Sequence, residues 1–469
     1  MKEEHVSEAL LRLYHRLPSP ARLLTANLRG LQLRRLRYGP ETKGLIAEAL
    51  ERDTWSATRW NAFRDERLVW LLNRAAKQVP FYRIYWENRR RAGDRSSWER
   101  IENWPLLRKE TVQQHPHAFV AEDCDLRRMI HSQTSGTTGK PLHLWWTRSV
   151  TRSWFALFEA RVRRWNQVSI QQPWAMMGGQ LIVPVRSDRP PFWLKNYAQN
   201  QLYLSSFHLS LRNAPAYAAA LAAHGPTHMV SYPSSAATLA QLFLQQGLRV
   251  DGMRLLITNA DYLHDRQREI IGKALGVHVR NTYAMGEMVG AASECSAGSL
   301  HLWPEVGWEE LLDGNEQLSR GPGQGHFVFT GLLNSDMPLI RYVVGDSGRF
   351  SAPEICSCGR WPARIEAIEG RLSDMIATHD GRRVFWLNSV LYGLPILEAQ
   401  IVQETINHLR VCYVPTASFC RADAVTLVNR LRERVGCMKI DLEIVNAVER
   451  TASGKVRAVV SKLVAHEDE

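Results

Sequence analysis

The sequence predicts an α/β protein. Its large N-terminal domain would contain layered, mostly parallel sheets with helices plus a β-rich subdomain, and a small α+β C-terminal domain would follow. Short apolar runs alternate with helical stretches between residues 101 and 370, which is typical of parallel sheets covered by helices. Strand-like runs follow one another with little helix between 320 and 350. Residues 373–469 add further strand runs, and this tail is long enough for a small domain.

The individual elements can be placed in chain order. Residues 1–100 have mainly helical periodicity, as in "RDERLVWLLNRAAKQVPFY", where Pro80 ends the run. "THMVSY" and "RLLITNA" predict buried strands, and each is followed by a helical stretch. "GHFVFTGL" and "MPLIRYVVGDSGRF" predict strands of a β-rich unit over 320–370. The last helix is expected around 421–434.

The composition is that of a folded globular protein, with 45% hydrophobic and 23% charged residues. No apolar run approaches the ~20 residues that span a bilayer, so we expect no transmembrane segment. The N-terminus carries early acids and no continuous apolar stretch before a cleavage site, which argues against a secretory signal. Seven scattered cysteines do not form a disulfide framework and indicate a reducing, cytoplasmic location.

The net charge of +12 is concentrated near the N-terminus. Residues 1–100 hold 21 Lys and Arg against 12 Asp and Glu, a surplus of nine. Such a region could contact nucleic acid or an anionic membrane surface. The arginines are interspersed with Trp, Leu and Glu, which favours a solvated surface that attracts an anionic substrate. We therefore expect no nucleic-acid partner, while peripheral membrane contact and a homodimer stay open.

The segment "TSGTTGKP" lies between two strand-like runs and has two interpretations. It could be a Ser/Thr/Gly linker, or its backbone amides, hydroxyls and lysine could surround a polyphosphate. It is not a Walker A loop, because the glycine spacing differs and proline follows the lysine. On its own the segment does not decide between them. Its candidate phosphate ligands are Thr134, Ser135, Gly136, Thr137, Thr138, Gly139 and Lys140.

Read with the rest of the chain, this loop resembles the phosphate loop of the adenylate-forming superfamily, which includes acyl-CoA synthetases, peptide-synthetase adenylation domains and luciferases. Other segments resemble the further motifs of that superfamily in the expected order: "NTYAMGE" (281–287), "IRYVVGD" (340–346), "EGRLSDMI" (369–376) and "ERTASGKVR" (449–457). The chain is most similar to the phenylacetate–CoA ligase, coenzyme F390 synthetase and CapK-like branch. That likeness is carried by "RAAKQVPFYR", "SYPSS", "CSCGRWPARI" and "THDGRRVF".

The resemblance implies that a carboxylic acid is joined to the α-phosphate of ATP with release of pyrophosphate. It implies that the loop holds the β- and γ-phosphates, that Glu287 is a catalytic residue holding Mg²⁺, and that Lys455 is the principal catalytic residue. The expected nucleotide contacts are Ala260 and Asp261 against adenine, Asn281 at its amino edge, Tyr283 stacked on its ring, Asp346 on the ribose hydroxyls and Arg371 near ribose or phosphate. Ala284 and Gly286 depart from the motif, and Gly286 removes a hydroxyl expected at the phosphate.

The same resemblance implies two moving parts. Residues 1–372 would form the large domain, and residues 373–469 a small mobile lid that rotates about Asp374 and carries Lys455. Coenzyme A is the expected acceptor of the acyl group. Amide formation with an amine acceptor and nucleotidyl transfer to a hydroxyl, either of them in polysaccharide or secondary-product biosynthesis, stay open. A non-catalytic nucleotide-binding scaffold also stays open. Tyr203, Phe207, Tyr232 and Met288 are candidate lining residues for an aryl or other apolar acid.

A second constellation consists of Cys295, His301, Cys356 and Cys358. Three cysteines and a histidine suit tetrahedral Zn²⁺, although the spacing of the last two is tighter than usual. The alternative is a set of unrelated thiols, since free cysteine behaves as a small hydrophobic residue. The branch that the chain resembles often carries similar cysteines and a histidine, which favours a structural zinc site with no catalytic role.

Overall fold

The structure is a computed structural model that describes residues 8–134, 141–352, 354–371, 376–380, 383–384, 387–391, 394–450, 457 and 459–463. Its helices are α1 (Glu8–Arg16), α2 (Ser19–Arg37), α3 (Thr42–Arg52), α4 (Ala57–Gln78), α5 (Pro80–Arg91), α6 (Lys109–Gln114), α7 (Arg148–Phe158), α8 (Ala214–His224), α9 (Pro233–Gln246), α10 (Asp265–Leu275) and α11 (Arg421–Val435). Within these residues, no helix combines the length and the apolar character needed to cross a membrane.

The strands of the first half are β1 (Ile130–Thr134), β2 (Leu142–Trp146), β3 (Trp174–Gly178), β4 (Trp193–Asn196), β5 (Gln201–Ser205), β6 (His228–Ser231), β7 (Leu255–Thr258), β8 (His278–Ala284), β9 (Ala291–Glu294) and β10 (Leu300–Leu302). They continue as β11 (Gly307–Leu312), β12 (Leu318–Ser319), β13 (Gly323–Gly331), β14 (Tyr342–Phe350), β15 (Arg364–Arg371), β16 (Ile376–Ala377), β17 (Arg383–Val384), β18 (Ile396–Thr405), β19 (His408–Pro415), β20 (Lys439–Ile444) and β21 (Val459–Ser461).

One 13-stranded sheet runs through the large unit, in the order β12-β11-β13-β14-β15-β10-β9-β8-β7-β6-β3-β5-β4. Strands β8, β7, β6, β3 and β5 are parallel to one another. The strands from β9 to β15 pair antiparallel, as does the edge strand β4. The predicted α/β class is confirmed, and the β-rich part continues the parallel part in a single sheet.

The parallel half is covered on both faces, as buried apolar strands require. On one face β3, β5 and β7 pack against α8, α9 and α10 through residues such as Met177, Leu221, Phe243 and Leu256. On the other face α3 and α7 contribute Ala49 and Leu157. The antiparallel half instead packs against α4 and α5, whose Leu71, Leu72, Tyr82 and Trp86 join Phe327, Phe329 and Tyr342 in one core.

Besides the large sheet, the described residues form three smaller ones, the two-stranded β16–β17 among them. Strands β1 and β2 form a separate antiparallel hairpin, with Thr134 opposite Leu142 at the end where the chain passes into the predicted phosphate loop. Strands β20-β19-β18-β21 form a four-stranded sheet. Leu427 and Leu431 of α11 pack on this sheet against Ile401 and Val411, so the C-terminal part has a hydrophobic core of its own.

Candidate active site

The predicted nucleotide residues meet at the carboxyl ends of adjacent parallel strands. Asn259, Ala260 and Asp261 follow β7 directly, and Glu287 lies just beyond the end of β8. Open α/β sheets bind ligands outside the carboxyl ends of their strands, where helix N-termini and loops converge. The fold therefore brings residues separated along the chain to one edge of the sheet.

Glu287 is held in place by a buried phenol. The Tyr342 hydroxyl donates to Glu287 Oε1 at 3.0 Å, and Lys109 Nζ lies 3.9 Å from the same oxygen. The Glu287 side chain is only 10% exposed. Burial, followed by the charge of Glu287, raises the pKa of Tyr342 well above its ordinary value. Tyr342 therefore remains a proton donor at neutral pH and orients a carboxylate that could bind a hard cation.

The backbone next to Glu287 is constrained. Met288 has φ of 54°, in the left-handed region that non-glycine residues seldom occupy. Its amide donates to the carbonyl of Met285 at 3.1 Å, which closes a turn after β8. This turn directs the Glu287 side chain toward Tyr342 on β14. Such strained conformations concentrate at functional sites, where the surrounding structure holds them.

Asp346 is also held by a phenol. The Tyr283 hydroxyl donates to Asp346 Oδ2 at 2.8 Å, although β8 and β14 are not neighbours in the sheet. Both residues are buried, and the Tyr283 ring packs edge-on against Phe327 at 5.9 Å. A carboxylate has about four lone-pair sites, so this bond leaves Asp346 able to accept ribose hydroxyls. The stacking of Tyr283 on adenine stays a prediction, because its ring is 8% exposed.

The residues predicted around adenine make bonds within the protein. Thr258 Oγ1 donates to Asn281 Oδ1 at 2.9 Å, and the Ser234 hydroxyl donates to Asp261 Oδ2 at 3.2 Å. Ala260 adopts φ of 68°, which bends the chain sharply after β7. Asn281 Oδ1 would accept from an adenine amino group only with its second lone pair, since Thr258 uses the first. These three positions stay predictions as adenine contacts.

Several predicted residues lie outside the described part of the chain. They are Ser135, Gly136, Thr137, Thr138, Gly139, Lys140, Asp374 and Lys455. Thr134 and Arg371 are described through their backbones, and Arg371 lies opposite Asp346 in the β14–β15 pair. The hairpin β1–β2 brackets the predicted phosphate loop, and β21 follows the segment that carries Lys455. Their roles stay predictions.

Sequence reasoning did not identify the groups that support the carboxylates. Tyr342 lies inside the quoted segment "IRYVVGD", so its position next to a nucleotide motif was an available signal. Lys109 had no such signal. His131 and His143 were also missed; they stack at 5.1 Å across the hairpin β1–β2, and His131 Nε2 is 2.9 Å from His143 Nδ1. These histidines lie on the strands that flank the predicted phosphate loop.

The predicted zinc ligands converge. The ligand atoms of Cys295, His301, Cys356 and Cys358 all lie within 4.8 Å of one another. Cys295 Sγ is 4.0 Å from Cys356 Sγ, and Cys358 Sγ is 3.5 Å from His301 Nε2. Zn–S bonds of about 2.3 Å place tetrahedral sulfurs ~3.8 Å apart, so these separations fit one ion. Three thiols and an imidazole form the closed ligand set of a structural site.

The surroundings of the cluster also fit a metal. His301 Nδ1 lies 2.9 Å from the Pro362 carbonyl oxygen. When Nδ1–H donates to that oxygen, Nε2 is left unprotonated and can bind the metal. Gly298 and Gly359 adopt φ of 80° and 82° in the tight turns that present Cys295 and Cys356. Burial raises the pKa of Cys295 to about 11. Burial also opposes ionisation of Cys356, but hydrogen bonds, the first from the Cys358 amide, lower its pKa to about 5.

Comparison with known proteins places the chain among relatives. A family model described as the CapK C-terminal domain matches residues 377–462. Protein CapK of Staphylococcus aureus is 23% identical over 412 residues, covering 85% of this chain and 89% of that protein. A phenylacetate-coenzyme A ligase of Thermus thermophilus is 27% identical over 485 residues, covering 90% of this chain and 99% of the relative. The chain is thus similar to proteins of the CapK and phenylacetate–CoA ligase branch of the adenylate-forming superfamily, as its motifs predicted.

A solved structure confirms the predicted fold. The 2-hydroxyisobutyryl-CoA ligase in its postadenylation state matches with a TM-score of 0.65 at 20% identity, over 88% of this chain and 91% of that one. The same ligase in an open conformation, in complex with 2-HIB-AMP and CoA, matches with a TM-score of 0.52.

Proposed function

We propose that this chain is an ATP-dependent adenylate-forming ligase that activates a small-molecule carboxylic acid as acyl-AMP and transfers the acyl group to coenzyme A. The observation that carries this proposal is the pair of carboxylates, Glu287 and Asp346, each held by a buried phenol beside the carboxyl edge of the parallel strands. One carboxylate suits a divalent cation and the other a ribose. Relatives named phenylacetate-coenzyme A ligase support the choice of acceptor.

In the first half-reaction, a carboxylate oxygen of the acid attacks the α-phosphorus of ATP. The bond from that phosphorus to the bridging oxygen breaks, and pyrophosphate leaves with the electron pair. Two anions must approach each other, so the site has to neutralise charge and orient groups rather than provide a nucleophile. Mg²⁺ held at Glu287 would supply positive charge to the phosphate oxygens.

The described residues perform the positioning for this step. Tyr342 keeps Glu287 Oε1 in one place, and Lys109 lowers the electrostatic cost of an almost buried carboxylate. Tyr283 orients Asp346 toward the ribose hydroxyls. We propose that Lys140 and the rest of the loop bind the leaving pyrophosphate, and that Lys455 neutralises charge between the carboxylate and the α-phosphate.

In the second half-reaction, the coenzyme A thiolate attacks the acyl carbon and AMP leaves with the electrons of the broken C–O bond. We propose that residues 373–469 act as a lid that turns about Asp374 between the two steps, relative to the domain formed by residues 1–372. The core of Leu427, Leu431 and Ile401 within the C-terminal part supports movement as a unit.

We further propose that Zn²⁺ is bound by Cys295, His301, Cys356 and Cys358. The cluster links the ends of β9 and β10 to the turn that precedes β15. With four protein ligands, the ion would have no position for substrate and would serve the stability of this part of the sheet.

Pyrophosphate–ATP exchange with a panel of aryl and aliphatic acids, together with hydroxylamine trapping of acyl-AMP, tests acid activation. We expect exchange that depends on one class of acid and on Mg²⁺, and loss of exchange in Lys455→Ala. Lys462→Ala is a matched control, because that exposed lysine pairs with Glu404. An unaffected Lys455→Ala would overturn the catalytic assignment. Absence of exchange with every acid would favour a non-catalytic nucleotide-binding scaffold.

A second acceptor is favoured by one observation. The part of the chain proposed as the lid matches the CapK C-terminal domain, and the lid is expected to face the acceptor in the second half-reaction. Transfer to an amine, or nucleotidyl transfer to a hydroxyl, is therefore the alternative to thioester formation. Exchange that is not followed by coenzyme A thioester, while an added amine yields an amide, would select the amine acceptor.

A further inference from the structure

The outward side of α2 carries a stripe of exposed leucines. Leu24, Leu28 and Leu31 are 62%, 61% and 38% exposed. Their spacing of four and three residues places them on one side of the helix. Arg35 lies four residues beyond Leu31 and continues the stripe with a charge. A helix on the surface of a globular protein normally turns its apolar side toward the core, so this stripe requires an explanation.

The side of α2 that adjoins the stripe is attached closely to the edge of the large sheet. Asn27 Nδ2 donates to the Lys195 carbonyl at 3.0 Å, and the Tyr197 amide donates to Asn27 Oδ1 at 2.7 Å. Gly30 faces the edge strand β4, where an added Cβ would lie 2.0 Å from the side chain of Asn196. These contacts fix the rotation of α2 about its axis. The leucine stripe therefore faces outward as a property of the fold.

Exposed positive charge adjoins the C-terminal end of the stripe. Residues 19–37 contain five arginines and no Asp or Glu. Arg34 and Arg35 are exposed at the C-terminal end of the helix, and Arg34 Nη1 donates to the Ala198 carbonyl at 2.7 Å. Beside them, Tyr197 is 66% exposed and Lys195 Nζ lies 5.3 Å from the centre of its ring. Apolar, aromatic and cationic groups are thus combined on one side of the molecule.

We propose that this α2 face, formed by Leu24, Leu28, Leu31, Arg34, Arg35 and Tyr197, is a docking surface for an anionic lipid membrane. The leucines would enter the boundary between headgroups and acyl chains, as in interfacial amphipathic helices. The arginines would contact lipid phosphates, and tyrosine is a residue type enriched at that depth. Charge complementarity selects this partner. The helix carries arginines and no acids, which suits anionic headgroups, and its exposed leucines suit the acyl chains beneath them.

Two other occupants fit the face less well. A second copy of the chain would oppose the exposed Arg34 and Arg35 of one α2 to those of another, with no acid on either helix. Nucleic acid would neutralise the arginines but would leave the three leucines against phosphate and water. The membrane proposal does not depend on the proposed ligase activity, because none of the α2 residues takes part in that site.

Co-sedimentation of the full chain with vesicles tests the proposal. We expect binding to vesicles that contain phosphatidylglycerol and little binding to phosphatidylcholine alone. Raising NaCl from about 0.1 M to 0.5 M should reduce but not abolish binding, since screening acts on the arginines and not on the leucines. Hydrogen exchange should show protection of residues 19–37 on vesicle binding. Equal binding to both vesicle types, or protection confined to other segments, would overturn the proposal.

Paired variants separate the two contributions. Leu24→Gln combined with Leu28→Gln should reduce vesicle affinity at least tenfold, and Arg34→Gln with Arg35→Gln by about twentyfold at low salt. Matched controls are Leu211→Gln with Leu244→Gln, also exposed leucines, and Arg127→Gln with Arg128→Gln, an exposed adjacent pair. The leucine variant and both controls should keep the wild-type melting temperature, and the arginine variant should lose only the contribution of the bond from Arg34 to Ala198. Unchanged affinity in both α2 variants would overturn the proposal, as would a concentration-dependent dimer lost in the leucine variant.

Discussion

Replacing Tyr342 with phenylalanine should raise the Mg²⁺ requirement of the exchange reaction. The phenol donates to Glu287 Oε1 at 3.0 Å, and the Glu287 side chain is 10% exposed, so little water can replace the lost bond. Hydrogen bonds to charged groups contribute about 1.5–3 kcal/mol. Losing a partner that orients a metal ligand typically costs about 10–100-fold in metal affinity. We expect the Mg²⁺ concentration for half-maximal exchange to rise about tenfold or more.

The pH dependence follows from the direction of the pKa shift. Burial and the neighbouring Glu287 charge raise the pKa of Tyr342 well above its ordinary value. The phenol is therefore protonated, and the bond is present, at every pH below the ordinary tyrosine pKa of about 10. The ratio of half-maximal Mg²⁺ concentrations between variant and wild type should stay constant from about pH 6 to pH 9.

Replacing Lys109 should change the Mg²⁺ requirement in the opposite direction. Lys109 Nζ lies 3.9 Å from the same Glu287 oxygen, and its side chain is 32% exposed. Lys109→Met removes a cation that competes with Mg²⁺ for that oxygen, so the half-maximal Mg²⁺ concentration should fall slightly. Solvent screening of this partly exposed pair limits the change to about twofold.

Tyr82→Phe is the matched control. The Tyr82 hydroxyl donates to the Pro338 carbonyl at 3.2 Å and accepts from the Ile340 amide at 3.0 Å, two residues before Tyr342. Its loss should lower the free energy of unfolding by about 1 kcal/mol and leave the Mg²⁺ requirement unchanged. The role given to Tyr342 would be refuted if Tyr342→Phe had the half-maximal Mg²⁺ concentration of the wild type. It would also be refuted if Tyr82→Phe raised that concentration equally.

Three further predictions concern other parts of the molecule. Tyr283→Phe removes the donor to Asp346 and should raise the KM for ATP about tenfold in the exchange assay; an unchanged KM would contradict the ribose assignment. Protein purified without chelator should contain about one zinc per chain, and Cys356→Ser should lower both zinc content and melting temperature; near-zero zinc in the wild type would contradict the site. Glu310→Gln removes the charged partner of buried Arg341, and urea unfolding should show a loss of about 3 kcal/mol; a loss below about 1 kcal/mol would show that the ion pair is dispensable.

Local patterns account for what could be predicted. "THMVSY" and "RLLITNA" contain β6 and β7, all but the last residue of "GHFVFTGL" lies in β13, and the helix expected around 421–434 is α11. Apolar period and turn residues act over a few positions, so they can be read without knowledge of the fold. The convergence of the three cysteines and His301 also followed from spacing and resemblance. The superfamily followed from motif order along the chain.

Long-range contacts lay beyond those patterns. Tyr342 meets Glu287 across 55 residues of sequence, and Lys109 approaches the same oxygen from α6. No local pattern reports which side chains face each other across a sheet, because strand order decides it. The continuity of parallel and antiparallel strands in one sheet was missed for the same reason.

By itself, the sequence determined the chemistry available to this protein: the carboxylates, the lysines, the Cys/His set and an arginine-rich first third. Tertiary structure alone decided the surroundings of the carboxylates and the orientation of the leucines on α2. It placed a buried phenol within hydrogen-bond distance of each of Glu287 and Asp346. A single hydrogen bond is stronger there because little water reaches these side chains. It also turned Leu24, Leu28 and Leu31 outward, because Asn27 and Gly30 hold an adjoining side of α2 against the sheet edge.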